Sequence, residues 1–483
     1  MKIAIVGSGP SGWATTKKLI ELGHEVTVID AGLVEGDSFA HETDGAIGLS
    51  RKLYFGSDLP YRSYPHGPLT EKRNVNPISS FARGGLSLVW GATMLPYCKE
   101  DTKKWPVEIS KLDGEFTEIS NLLPITGIDD QLNSLYGRFI SRRGIIPSAR
   151  ILRFIELCDR NKQPGVTVGL SRLAVETGST KVSGCIYCNK CIDGCPGDFI
   201  WSSRLSIKEA GYLKMRVTKL IEEKASVKIE GFRIDGSYIT TQDFAKVFLA
   251  CGPVESFRIL ANSKITGKDA VLKDSSTFFL PMFVLPRLGS AKSNSFALSQ
   301  CFIRLNVGAE NHASQFQVYE YSEDLILRVR KVLPFGRIVP RWFLKLGLKR
   351  IVVAIGYLGE EQSPAIQMQF LEDGSVSLIH FSEGVTLNQR RQFIKETIKQ
   401  LAKFTSKKGL VPLKFLTQIA LPGEGVHSGA WLPMGQKSDL LGRPFSSKNI
   451  HVVDSSILPS IAPGPITFTV MANAMRIARE SVQ

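Results

Sequence analysis

The sequence predicts an α/β fold, α+β overall, in which a parallel sheet flanked by helices is interleaved along the chain with a region built on an antiparallel sheet. Three observations carry this expectation. The first 32 residues read as strand, glycine-rich turn, helix and second strand, the unit from which parallel sheets are wound. An apolar strand returns at Val247 after a run of short strands and turns between 205 and 250. From about residue 265 the chain is strand-rich, as in 278–285, 315–321 and 365–371, which fits an antiparallel sheet. No internal repeat or low-complexity linker divides the two regions.

The opening unit justifies itself residue by residue. Ile3 to Val6 is an apolar run suited to a strand buried on both faces. It enters Gly7-Ser-Gly9-Pro-Ser-Gly12, after which apolar residues recur at helical spacing through Leu19 and Leu22. Gly23 stops the helix, and Glu25 to Ile29 forms the next strand, ending in Asp30. A G-x-G-x-x-G match carries weight in this strand–turn–helix–strand–acid order. Gly7 allows the tight turn, Gly9 lets backbone approach a pyrophosphate, and Gly12 lets the helix lie close to the strand. The helix N-terminus offers N–H groups to phosphate, and Asp30 stands where an adenosine ribose would donate hydrogen bonds. The expectation is a dinucleotide site.

No apolar leader or transit segment stands ahead of this motif, and no run reaches the eighteen or so apolar residues of a spanning helix, so a cytoplasmic protein is expected. Eight cysteines in such a chain argue against a disulfide framework. Residues 33–80 read as loop-rich, with His41 and His66 as solvated loop histidines. Then comes Arg83-Gly84-Gly85-Leu-Ser87-Leu-Val-Trp90-Gly91, whose paired glycines suit backbone held against a flat or anionic ligand. A Trp105-Pro106 pair and an amphipathic stretch from Ile109 to Leu123 follow.

With these residues in view, the chain resembles the glucose–methanol–choline oxidoreductase family. The opening motif, Gly84-Gly85-x-Ser87-x-x-Trp90-Gly91 and Trp105-Pro106 are similar to its N-terminal motifs. Phe248-Leu-Ala-Cys-Gly252 with the helix behind it resembles the family's strand returning to the flavin, and Ile450 through Asp454 to Arg476 resembles its closing signature. The resemblance implies a Rossmann-type FAD-binding domain and a hydride passing from an alcohol carbon to FAD. The FAD-contacting positions it implies are Gly7, Gly9, Gly12, Asp30, Gly84, Gly85, Ser87, Trp90, Gly91, Gly252, Asp454, Pro465 and Thr467. It also implies a division into FAD-binding segments at 1–110, 201–264 and 421–483, a connecting segment with the cysteines at 111–200, and a substrate domain at 265–420.

The family's proton acceptor lies in His-x-x-Gly-Thr-x-x-Met-Gly. Here the stretch is His427-Ser-Gly-Ala430-Trp431-Leu-Pro-Met434-Gly435, with the His-to-Met spacing kept and Gly-Thr replaced. An imidazole near its reference pKa of about 6.5 suits this role. The family's second active-site residue, a His or Asn, falls on Pro465, which has neither a polar side chain nor an N–H. The partner role has moved, to Thr467 or to the substrate domain, or His427 works alone, or the alcohol chemistry is lost.

Four cysteines fall within eleven residues: Cys185-x2-Cys188-x2-Cys191-x3-Cys195-Pro. The run matches the bacterial ferredoxin spacing. Three readings stay open: an iron–sulfur cluster, structural thiols without metal, and zinc. Some long-chain alcohol oxidases and dehydrogenases of the family carry a similar run, followed by a glycine and a serine, here Gly197 and Ser202. A cluster would make the enzyme a dehydrogenase passing electrons to a partner, a protein or a quinone. Cys98, Cys158, Cys251 and Cys301 are expected as buried apolar residues.

The net charge of +15 concentrates at 328–350, where eight basic residues and three aromatics stand with no acid. Such a segment suits peripheral contact with the inner membrane surface, a phosphorylated substrate or a redox partner. No recognition motif supports nucleic acid. The expected function is FAD-dependent oxidation of an alcohol or sugar hydroxyl, lipid-linked or phosphorylated among the options. The alternatives are a flavin reductase or isomerase, and a flavin-binding protein without alcohol chemistry.

Overall fold

A computed structural model describes residues 1–35, 37, 58–178, 183–191, 194–205, 210–289, 296–307, 312–320 and 347–483. His41 and nearly all of the basic segment 328–350 lie outside them.

The apolar runs of the opening unit form the middle of a five-stranded parallel sheet. Its order is Ile450–Val452, Lys246–Leu249, Lys2–Val6, Glu25–Asp30 and Gly211–Lys214, every pair parallel. Three of these strands are central because both their faces are apolar. Ile3, Ile5, Ile29, Val247, Phe248 and Leu249 are fully buried, and each large side chain contributes about 1.5–3 kcal/mol by leaving water. The helix Pro10–Glu21 follows the first strand and ends before Gly23, whose φ of 79° turns the chain back. The last helix, Thr467–Ser481, lies against it, so the two ends of the chain close one layer.

The second region holds two further sheets rather than one. The larger runs Leu410–Pro412, Thr277–Val284, Ile351–Leu358, His312–Tyr319, Ser299–Val307 and Val166–Leu170, all antiparallel, with Gln418–Ile419 also on Thr277–Val284. Its alternation is plain. Phe278, Leu280, Met282 and Val284 are fully buried on one face, while Phe279 and Pro281 face a cavity on the other. The strand expected at 365–371 is present as Ile366–Phe370 but belongs to a separate sheet, between Asp269–Asp274 and Val376–His380. The outer strand of that sheet is Thr70–Arg73, inside the stretch expected to be loop. A four-residue, largely exposed strand has no apolar pattern to reveal it. The run of short strands expected between 205 and 250 includes Arg216–Glu222, Val227–Phe232 and Tyr238–Thr240.

No described helix is long and apolar enough to cross a membrane. His66 is not a solvated histidine: it is half-buried, with Nε2 3.1 Å from the Ile234 carbonyl oxygen.

Candidate active site

A cavity of about 510 Å³ lies between the carboxyl ends of the parallel strands and the open face of the large antiparallel sheet. Ligands of open α/β sheets bind in the crevice at those strand ends.

Its first wall is the glycine turn. Gly7 holds φ at 106°, and a Cβ there would stand 2.4 Å from the Ala250 carbonyl oxygen. A Cβ on Gly12 would lie 2.0 Å from the Gly7 carbonyl oxygen, so this glycine sets how closely helix and strand approach. A Cβ on Gly9 would meet nothing within 4 Å, because Gly9 faces the cavity. The helix behind it starts at Pro10 with no side chain capping its first turn. The helices Pro253–Asn262 and Thr467–Ser481 also start at this cavity without a side-chain cap. Three positive helix ends therefore face one space.

Two carboxylates stand among them. Asp30 accepts the Ser8 N–H at 2.5 Å and the Gly32 N–H at 2.6 Å while lining the cavity, and burial pushes its pKa up against those bonds. Asp454 accepts the Ser256 and Ser456 hydroxyls, each at 2.5 Å, and burial raises it as well. The Gly84–Gly85 turn is tied to the first wall by serines. The Gly84 N–H donates to Ser8 Oγ at 2.8 Å, Ser87 Oγ donates to the Gly84 carbonyl at 2.6 Å, and Ser203 Oγ donates to the Ser8 carbonyl at 2.8 Å. Trp90 is fixed through Nε1 to the Trp201 carbonyl at 2.9 Å.

The antiparallel sheet forms the opposite wall, and His427 stands at its edge. The His427 ring centroid is 5.0 Å from that of Tyr357, with 35° between the planes. Nδ1 is buried and finds no hydrogen-bond partner among the described residues. Loss of solvent pushes the imidazole down to about 4, so it is neutral at pH 7. Val426, just before it, holds φ at 57°, an unusual conformation for a β-branched residue.

Of the residues singled out by sequence, Gly7, Gly9, Asp30, Gly85, Ser87, Trp90, Gly91, Gly252, His427, Asp454, Pro465 and Thr467 all line this cavity. Gly12 and Gly84 support it from behind. Pro465 brings no polar side chain to the wall. Tyr357, Thr277 and Glu255 line it too and were not singled out. The first two sit on ordinary strands with no motif around them, whereas Glu255 follows Gly252 closely enough to have been noticed.

The cysteine run is a different matter. Cys188 is exposed, Cys185 and Cys195 are half-buried, and Cys191 is buried, its thiol pushed up to about 12 chiefly by burial. Among the described residues no three His, Cys, Asp or Glu side chains form a group that could hold a metal, so the geometry lends no support to a cluster or to zinc. Cys98, Cys158 and Cys301 are buried as expected. Cys251 is not fully enclosed: it lines the cavity, with its thiol 3.2 Å from the Val6 carbonyl oxygen.

No protein-family model matches the chain, and no curated protein sequence does. Solved structures match it over nearly its whole length. Pyridoxine 4-oxidase from Mesorbium loti superposes with a TM-score of 0.60 at 16% identity, covering 99% of this chain and 98% of that one. For formate oxidase of Aspergillus oryzae RIB40 the TM-score is 0.63 at 13% identity, with 99% and 97% covered. An FAD-dependent oxidoreductase from Chaetomium thermophilum gives 0.60 at 15% identity, with 99% and 98% covered. The chain has the fold of these proteins, the mixed α/β architecture expected from its sequence.

Proposed function

We propose that this protein is an FAD-dependent oxidoreductase that oxidises a CH–OH group, with His427 accepting the hydroxyl proton. The observation that carries the reading is a neutral, half-buried imidazole in the same cavity as an uncapped glycine-turn helix and the Asp30 carboxylate.

The donor set fits FAD. The N–H groups opening the helix Pro10–Glu21 suit the pyrophosphate, and Gly9 leaves room for it. Asp30 still borders the cavity and can accept ribose hydroxyls. The serine-tied turn at Gly84–Gly85 and the helix end at Thr467 suit the remainder of the cofactor. Bound there, FAD supplies the hydride acceptor for the alcohol carbon. The chain's own task is to hold the hydroxyl and take its proton. The unpartnered Nδ1 marks an imidazole not committed to a structural bond, and the Tyr357 ring beside it fixes its plane. A proton acceptor must be unprotonated, which a pKa of about 4 ensures, at the cost of weaker basicity.

One observation favours a second reading, a flavin-binding protein without alcohol chemistry: Pro465 faces the cavity where a second polar side chain would help carry the proton. Anaerobic bleaching of the flavin by alcohols separates the two. His427→Ala is expected to abolish bleaching with FAD still bound. Unchanged reduction in that variant removes His427 from the mechanism.

A further inference from the structure

The wall facing His427 says what the cavity can accommodate. Its side chains stand in rows across three strands. Thr277 pairs with Tyr357; Phe279, Ile355 and Gln317 form the next row; Pro281, Val353 and Tyr319 the third. Leu298 and Leu416 extend the apolar surface. Several polar members are already engaged: Gln317 Oε1 accepts from the Tyr319 hydroxyl at 3.0 Å and from Thr93 Oγ1 at 3.4 Å, and Thr277 Oγ1 donates to the Ser275 carbonyl at 3.4 Å.

Charge on the lining points the same way. Among the described residues the one Arg or Lys lining the cavity is Arg216. Its guanidinium donates to the His66 and Pro68 carbonyls at 2.8 and 2.7 Å and stands 3.6 Å from Glu255. On the sheet side the lining charges are carboxylates. Glu320 is bound to Arg150 and Ser148, and Glu424 stands near the loop before His427. Among the described residues no cation on this side would face a phosphate or carboxylate, and burying either one unpaired costs heavily. A sugar would bring several hydroxyls to a wall with few groups to receive them, and each unmatched one loses its water.

We propose that the cavity takes an uncharged alcohol with an extended apolar or aromatic body, laid along Phe279, Pro281, Val353 and Ile355 with its hydroxyl toward His427, and that it discriminates against phosphorylated alcohols and sugars. The proposal names the substrate class of the alcohol oxidation proposed above and rests on that reading.

Calorimetric titration of the FAD-loaded protein with 1-octanol, glucose and glycerol 3-phosphate tests it without needing turnover. 1-Octanol is expected to bind at least about tenfold more tightly than either of the others. Val353→Thr keeps the side-chain shape and is expected to weaken 1-octanol by about threefold or more, and Ile355→Ala by about tenfold, with FAD content unchanged. Glucose or glycerol 3-phosphate binding as tightly as 1-octanol overturns the proposal, as does 1-octanol affinity unchanged in both variants. Flavin bleaching in the same samples keeps the two claims apart. 1-Octanol binding without bleaching by any alcohol leaves the apolar site standing and refutes the oxidation. Bleaching by glucose and not by 1-octanol does the reverse.

Discussion

An imidazole that titrates near 4 leaves a signature in the pH dependence of the reductive step. If His427 takes the hydroxyl proton, the rate of flavin reduction follows its neutral fraction. With a pKa of about 4, that fraction is about nine-tenths at pH 5; for an imidazole at its usual 6.5 it would be about one-thirtieth. The structural cause is burial of the ring. Anaerobic stopped-flow reduction by a saturating alcohol, followed from pH 8 down to pH 5, is expected to stay flat within about 20%. A limb with a midpoint near 6.5, losing more than about tenfold by pH 5, would refute the reasoning. The same shift has a stability cost. Below about 6.5 the unfolded histidine binds a proton that the folded one refuses until about 4, so stability falls as pH drops through that window. His451, stacked on Phe248 and also pushed down to about 4 by burial, adds to this in the same direction. By pH 5 each histidine has removed about 2 kcal/mol relative to neutral pH, so the kinetic series needs a parallel unfolding curve.

Other expectations follow from particular contacts. Gly12→Ala places a Cβ 2.0 Å from the Gly7 carbonyl oxygen; overpacking of about 1–3 kcal/mol should displace the turn, and the protein should lose FAD on gel filtration. Full FAD retention in that variant would contradict the role given to the turn. Arg150→Met removes the guanidinium that binds the buried Glu320 carboxylate, with an expected loss of about 3–5 kcal/mol in urea unfolding. In a timed thiol titration of the native protein, Cys188 should react fastest and Cys191 far more slowly, because one is exposed and the other buried. Stoichiometric iron and sulfide in fresh protein would overturn the reading of the run as free thiols.

What the sequence reveals follows from how locally each feature is determined. The opening unit is legible almost to the residue because Gly7, Gly12 and Gly23 are steric necessities: the first two would clash with backbone if they bore a Cβ, and the third turns the chain at φ 79°. His427 is legible through its spacing to Met434, and the structure does place it in the cavity. The wall opposite is not legible. Phe279, Ile355 and Gln317 become neighbours through pairing of strands 38 to 76 residues apart in the chain, a register that no motif records. The division into two sheets beyond residue 265 is hidden for the same reason. The cysteine run is legible as a spacing, and among the described residues it forms no metal-holding group. Its spacing is strongly suggestive, yet spacing constrains the chain and not the direction of each sulfur.

The most direct test of the central claim is the absorbance spectrum of the purified protein, recorded without oxygen before and after addition of an apolar alcohol such as 1-octanol. The account expects flavin bands equivalent to one FAD per chain, bleached by the alcohol in the wild type and unbleached in His427→Ala. A colourless protein that cannot be loaded with FAD would contradict it.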